Sequence, residues 1–112
     1  MTLSIKPGVR IHGMRPEALI GLQVAAGVYE AHNKPCRVTS GTEGKHSRSS
    51  RHYSGLAFDL GTKNPQTHEQ WPEAIIESML SAMKKALGAD FDVIYEGHHF
   101  HVEYDPKTGV NK

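Results

Sequence analysis

Near the end of the chain the stretch EGHHFHVEY, residues 96–104, sets three histidines within four positions and a glutamate on either side. Upstream, the stretch SRHYSGLAFDL, residues 50–60, carries a histidine and an aspartate seven positions apart, His52 and Asp59. So much imidazole and carboxylate on strand-like sequence needs partners, because unpaired polar groups are costly to bury. A catalytic zinc takes three protein ligands from His, Asp or Glu and keeps a fourth position for water. His52 and Asp59 can supply a loop nitrogen and a strand oxygen, and a histidine near position 100 can complete the set. Two neutral imidazoles and one carboxylate leave such a site net positive, which lowers the pKa of water there. A neighbouring carboxylate is then needed as general base.

Strand parity limits which groups can share a cavity. In a straight strand Glu96, His98 and Phe100 face one side, and His99, His101 and Glu103 the other. A base at Glu96 and a ligand at His101 therefore conflict. A bulge or turn at Gly97-His98 removes the conflict, and glycine is the residue type that permits it. This reading puts Glu96, His99 and His101 on the site side and turns His98 away. Glu103 falls at the rim or hydrogen-bonds a ligand from outside.

The elements that must hold these groups follow from periodicity. Pro7-Gly8 marks an early turn. From Pro16 to about Asn33, Leu19, Leu22, Ala26 and Tyr29 recur at helical spacing, and Lys34-Pro35 ends that helix. CRVTSG reads as a strand closing at Gly41, with Cys36 a small buried filler. The polar segment TEGKHSRSSRHYSG is a long loop of the kind that is usually functional or disordered. GLAFDLG returns to strand, with Leu56, Phe58 and Leu60 on one side and Gly55, Ala57 and Asp59 on the other. PQTHEQW opens a second helix through a Thr67/Gln70 capping box, and Trp71 anchors it. Ile76, Met79, Leu80, Met83 and Leu87 form its buried stripe, and Gly88 stops it. FDVIYEG and HFHVEY are two strand segments joined tightly or bent at Gly97. The order αβ-loop-βαββ predicts an α+β fold, a small and mostly antiparallel sheet with two main helices, as one domain over residues 1–112.

At this point the sequence resembles a family. SRHYSGLAFDL is similar to the S-x-H-x-x-G-x-A-x-D signature of the M15 zinc peptidases (D-alanyl-D-alanine carboxypeptidases and endopeptidases). EGHHFHVE resembles their second signature, which ends in H-x-H, and VTSG resembles the strand end that commonly precedes the first. The resemblance spans residues 36 to 105. It implies that His52, Asp59 and His101 bind Zn²⁺, that His99 lies beside the metal, and that Glu96 is the base. It further implies the fold shared with the Hedgehog signalling domain, and hydrolysis of an amide bond in the peptidoglycan stem peptide. Short members without a signal resemble bacteriophage endolysins or virion-associated wall peptidases, which reach the wall with a holin or a virion component. One departure stands out: many members follow SG with an aromatic residue and an arginine, where this chain has Thr42 and Glu43. The cation for a substrate carboxylate is thereby unassigned, with Lys45, Arg48, Arg51 and Arg37 as its candidates beside a merely solvated basic loop, and with Ser50 and His46 as candidate substrate contacts. A guanidinium suits a carboxylate best.

Composition excludes other classes. Thirteen Lys and Arg against twelve Asp and Glu leave a formal charge of +1, so bulk electrostatics nominates neither nucleic acid nor an anionic membrane. No apolar run approaches the roughly 20 residues of a membrane span. The N-terminus lacks the apolar stretch of a signal peptide, so the expectation is cytoplasmic synthesis; action on the bacterial wall is what the resemblance implies, and a monomer is expected. One cysteine excludes an internal disulfide. Three rivals stay open: a module that keeps zinc without catalysis, a metal-dependent nuclease, and an Fe(II) oxygenase. The last also uses two histidines and a carboxylate, but on all-β barrels. A His-rich nuclease needs a metal-binding helix after its histidines, and only eleven residues follow His101.

Overall fold

Small residues decide how the first helix sits. In the computed structural model, which describes residues 3–43 and 54–106, the first helix, α1, runs Pro16–Ala31 and buries Ala18, Gly21, Leu22, Ala25, Ala26 and Tyr29. Leu19, expected on this stripe, is instead 37% exposed. The reason is close approach: a Cβ at Gly21 would lie 2.5 Å from the Phe91 ring. The helix therefore settles on its alanine and glycine side. Pro16 occupies the first turn, and His32 closes the helix.

Among the described residues five strands form one sheet in the order β1-β2-β3-β5-β4. They are β1 Leu3–Ile5, β2 Cys36–Ser40, β3 Ala57–Gly61, β4 Phe91–Tyr95 and β5 His99–Tyr104, with α2, Glu73–Leu87, between β3 and β4. The fold is α+β with two helices, and every strand pair is antiparallel except β1 with β2. Strand β1 was not expected; three exposed residues next to a Pro-Gly turn carry too little alternation to read as a strand. The expected Thr67/Gln70 capping box is also absent. Asn64 Oδ1 accepts the backbone N–H of Gln66 and Thr67, and Thr67 Oγ1 accepts that of Glu69. These local side-chain bonds hold the segment as turns, and the helix begins only after Pro72. Gly88, with φ 84°, ends it as expected.

Pairing register separates the two faces of the sheet. Phe58 pairs Val102, Leu60 pairs Phe100, and Val93 also pairs Val102. These residues are buried against Leu22, Tyr29, Ile76, Met79 and Met83 from the two helices. Leu80 and Leu87 flank that core only partly buried. Trp71 is buried and meets Tyr29 edge-on, with ring centroids 5.9 Å apart. Cys36 is buried and free. Both helices thus cover one face, and the opposite face is left for the polar alternates of the same strands. No helix among the described residues is long and apolar enough to cross a membrane.

Candidate metal centre

On the uncovered face, register brings distant sequence together. Asp59 pairs His101, Gly61 pairs His99 and Ala57 pairs Glu103 across β3 and β5. On the far side of β5, His101 pairs Ile94 and Glu103 pairs Asp92. Directly paired residues point to the same side of a sheet, so Asp59, His99, His101 and Glu103 share the open face.

The parity problem of Glu96 is solved by a hairpin rather than a bulge. Strand β4 ends at Tyr95 and β5 begins at His99, and the Glu96 N–H donates to the His99 carbonyl at 2.9 Å. Gly97 takes φ 89°, a left-handed value that glycine adopts without strain. The Tyr95 hydroxyl closes the turn by donating to the Gly97 carbonyl at 2.8 Å. Glu96 consequently stands opposite His99, and His98 is exposed at the tip, on the wall of the cavity that Arg37 and Gly61 also line rather than turned away from this face.

The side chains converge. His99 Nε2 donates to Glu96 Oε1 at 2.9 Å and lies 3.5 Å from Asp59 Oδ2. His101 Nδ1 donates to Asp59 Oδ1 at 3.0 Å, and its Nε2 to Glu103 Oε1 at 2.8 Å. With a carboxylate at each nitrogen the His101 ring is held as imidazolium. The hydrogen bond donated to Asp59 is the main cause, burial opposes it, and Glu103 adds to it, so the pKa is raised to about 9. Ligand atoms of Asp59, Glu96 and His101 all lie within 4.8 Å of one another. One imidazole and two carboxylates, with a second imidazole alongside, form an N/O donor set suited to zinc. No thiolate competes, since the one cysteine lies in the core. Asp59 is buried while Glu96 is exposed, so the cluster opens outward.

Of the residues expected at the site, Asp59, His99, His101 and Glu96 are brought together. His52, Ser50, Arg48, Arg51, Lys45 and His46 lie outside the described residues. Arg37 sits on β2, half-buried, on the wall of a separate cavity next to Gly61. Sequence reasoning missed Ile94, an exposed apolar side chain paired with His101, and Asp92 and Asp105, which gather beside Glu103. Strand alternation could have placed Ile94 and Asp92 on this face, but not which strand they would lie against.

Thr42 and Glu43 are latch residues. Glu43 Oε1 accepts N–H from Gly41 at 2.8 Å and from Arg10 at 3.1 Å. Burial pushes its carboxyl up, but these backbone bonds and one from the Ser40 hydroxyl outweigh it, and the pKa is lowered. Thr42 Oγ1 donates to the His12 carbonyl at 2.7 Å. Past the residues that include His52, the Gly55 carbonyl accepts the Arg15 N–H at 2.8 Å. Residues 10–15 therefore clamp both ends of the segment that carries His52.

No protein-family model, curated protein or solved structure matches the chain.

Proposed function

We propose that this chain is a zinc-dependent peptidase of the Hedgehog/DD-peptidase type that hydrolyses an amide bond in the peptidoglycan stem peptide. The observation that carries the reading is the convergence of Asp59, Glu96, His99 and His101 on the open face of the sheet, from two strands and a hairpin turn. A site used only to retain a metal has no need of an exposed carboxylate and a second imidazole at its edge.

In this reading Asp59 and His101 hold the metal together with His52. Bound there, zinc would acidify water and polarise the scissile carbonyl. Glu96, exposed and hydrogen-bonded to His99, accepts the proton of the attacking water. His99, between Glu96 and Asp59, orients that base and donates a hydrogen bond to the developing oxyanion or passes a proton to the leaving amine. Glu103 grips the far nitrogen of His101 and so fixes its ring plane and tautomer. The wall substrate places the chain in lysis or entry by a bacteriophage, with a holin or a virion component giving access.

Metal analysis of the purified chain, paired with digestion of purified peptidoglycan and mass spectrometry of the products, tests this. One zinc per chain and stem-peptide fragments that vanish with chelator are expected. Glu96→Gln should retain zinc and lose turnover by about 10²–10⁴-fold, the usual worth of a positioned base. Zinc without cleavage in the parent chain would leave only a binding module, and full activity in the zinc-loaded Glu96→Gln chain would remove Glu96 as base.

A further inference from the structure

Strand alternation puts Arg37 and Thr39 of β2 on the open face, since Val38 between them is buried in the core. With Lys6, which follows β1, and Lys63, just past β3, they wall a cavity of about 150 Å³ that also takes in Gly61 and Asn64 and carries no carboxylate. Three cations therefore surround one concavity, and among the described residues none of them forms an ion pair. In a chain with a formal net charge of +1 over 112 residues that is a local excess. The walls focus its potential.

The groups around the cavity are donors, and the backbone holds them in place. Lys6 is pinned on both sides: its N–H donates to the Val38 carbonyl and its carbonyl accepts the Val9 N–H, each at 3.0 Å. Lys63 pairs with Gln70 in an isolated antiparallel bridge. Asn64 Oδ1 is occupied by the N–H groups of Gln66 and Thr67, which leaves the NH₂ of that amide as a donor. The Thr39 hydroxyl has no partner among the described residues. Gly61 adds no side chain, and a Cβ there would stand 3.3 Å from Thr39 Cγ2.

Size and charge together select the ligand. The cavity is smaller than the roughly 300–1,000 Å³ of sites that enclose a whole organic molecule. At about 30 Å³ per water it has room for about five water-sized atoms, which suits a tetrahedral oxyanion. A carboxylate brings one charge and two oxygens, and would leave two of the three cations unanswered. A phosphate monoester brings a charge of about −1.5 to −2 at pH 7 and three strong acceptor oxygens. Those oxygens can take the guanidinium fork of Arg37 and a point charge from each lysine, with the Thr39 hydroxyl and the Asn64 amide as further donors.

We propose that this cavity is a phosphate-binding site, which takes inorganic phosphate or the terminal phosphate of a phosphomonoester whose organic part stays outside. The site is independent of the peptidase reading, for it needs neither a metal nor a peptide. Gly61, on its wall, lies two residues beyond Asp59 on β3, a rise of about 7 Å. The cavity and the histidine–carboxylate cluster are thus neighbours with separate walls.

The test is an NMR titration of the purified, ¹⁵N-labelled full chain, at constant ionic strength, with inorganic phosphate, glycerophosphate and acetate in turn. Saturable shifts centred on the amides of Thr39, Gly61 and Asn64 are expected with both phosphates, and acetate should bind at least about tenfold more weakly. Arg37→Gln and the double variant Lys6→Gln/Lys63→Gln should each weaken phosphate about tenfold or more, the usual worth of a charge-assisted hydrogen bond. Lys85→Gln, in the last turn of α2, should leave it unchanged. Lys6 and Lys63 are exposed, so the double variant keeps the test valid should the Arg37 variant fold poorly. Tighter binding of glycerophosphate than of phosphate would identify a phosphomonoester as the ligand, and the reverse order the free anion. Acetate binding as tightly as phosphate, shifts centred on His99 and His101, or shifts that never saturate would overturn the proposal. So would equal weakening by Lys85→Gln, or unchanged affinity in the folded cavity variants.

Discussion

His101 has two carboxylates and one ring to share between them, and that arrangement makes its proton a reporter. Its folded-state pKa is about 9 against an ordinary 6.5, raised chiefly by Asp59. A histidine whose pKa is higher in the folded than in the unfolded chain stabilises the fold fully below the unfolded value, and the stabilisation is lost as pH rises through the folded one. The metal-free chain should therefore lose melting temperature between pH 6.5 and about 9, and His101→Asn should flatten that decline. A profile of the parent chain already flat over this window would contradict the geometry. Metal binding must expel the same proton, so zinc affinity should rise with pH over that interval. Glu103→Gln, which weakens the grip on Nε2, should cost about 10–100-fold in zinc affinity by competition with a chelating dye. At this scale the sequence was legible in types and illegible in direction. The crowding at residues 96–103 announced a site, and parity showed that Glu96 and His101 needed a break between them. Whether that break was a bulge or a hairpin depended on the Tyr95 hydroxyl reaching the Gly97 carbonyl, a contact that no spacing encodes.

Between elements, the link that carries the site to the core is Tyr29. Its hydroxyl, buried, donates to the Gly61 carbonyl at 2.8 Å, tying α1 to the end of β3 where the cavity and the cluster meet. Tyr29→Phe removes one buried hydrogen bond, worth about 1 kcal/mol net. In a domain of about 100 residues that is a fall in melting temperature of about 4–8 °C, readable by circular dichroism. An unchanged transition would mean that α1 is held by packing alone. Burial of β2 has its own signature: the Cys36 thiol is pushed up to about 12. It should resist iodoacetamide at pH 8 in the folded chain and react in guanidinium. Elements of strong periodicity were legible, notably α2 with its Ile76, Met79 and Met83 stripe and the strands on either side of it. Those decided by close approach were not. Of the α1 stripe, Leu22, Ala26 and Tyr29 are buried as assigned, and only Leu19 is turned out, because Gly21 rather than a larger residue faces Phe91. The start of α2 was misplaced because the Asn64 and Thr67 oxygens capture backbone N–H groups as turns before any helix can use them.

Across the described residues, one face of the sheet is covered by two helices and the other is left open. Alternation along GLAFDLG and HFHVEY announced this two-sidedness, but not that Asp59 would lie opposite His101, 42 residues away. That register is a product of global packing: Phe58, Leu60, Phe100 and Val102 face the helices together in this alignment, and a one-residue slip of either strand would turn its own pair outward. The candidate metal centre inherits its geometry from the core behind it. A metal bridging β3 and β5, with Glu96 at the hairpin beside it, should in turn brace those strands. At a hundredfold excess over its dissociation constant, zinc adds about 2.7 kcal/mol to the folded state, so chelation should lower the melting temperature by about 10 °C or more. The loss should also be local. Hydrogen exchange should accelerate on removing zinc at residues 57–61 and 91–104, while the buried helix residues Leu22, Ala25 and Met79 open only with global unfolding. Faster exchange spread evenly over helices and sheet would mean that the metal acts on the fold as a whole. Unchanged exchange and an unchanged transition would mean that no metal is held between these strands at all.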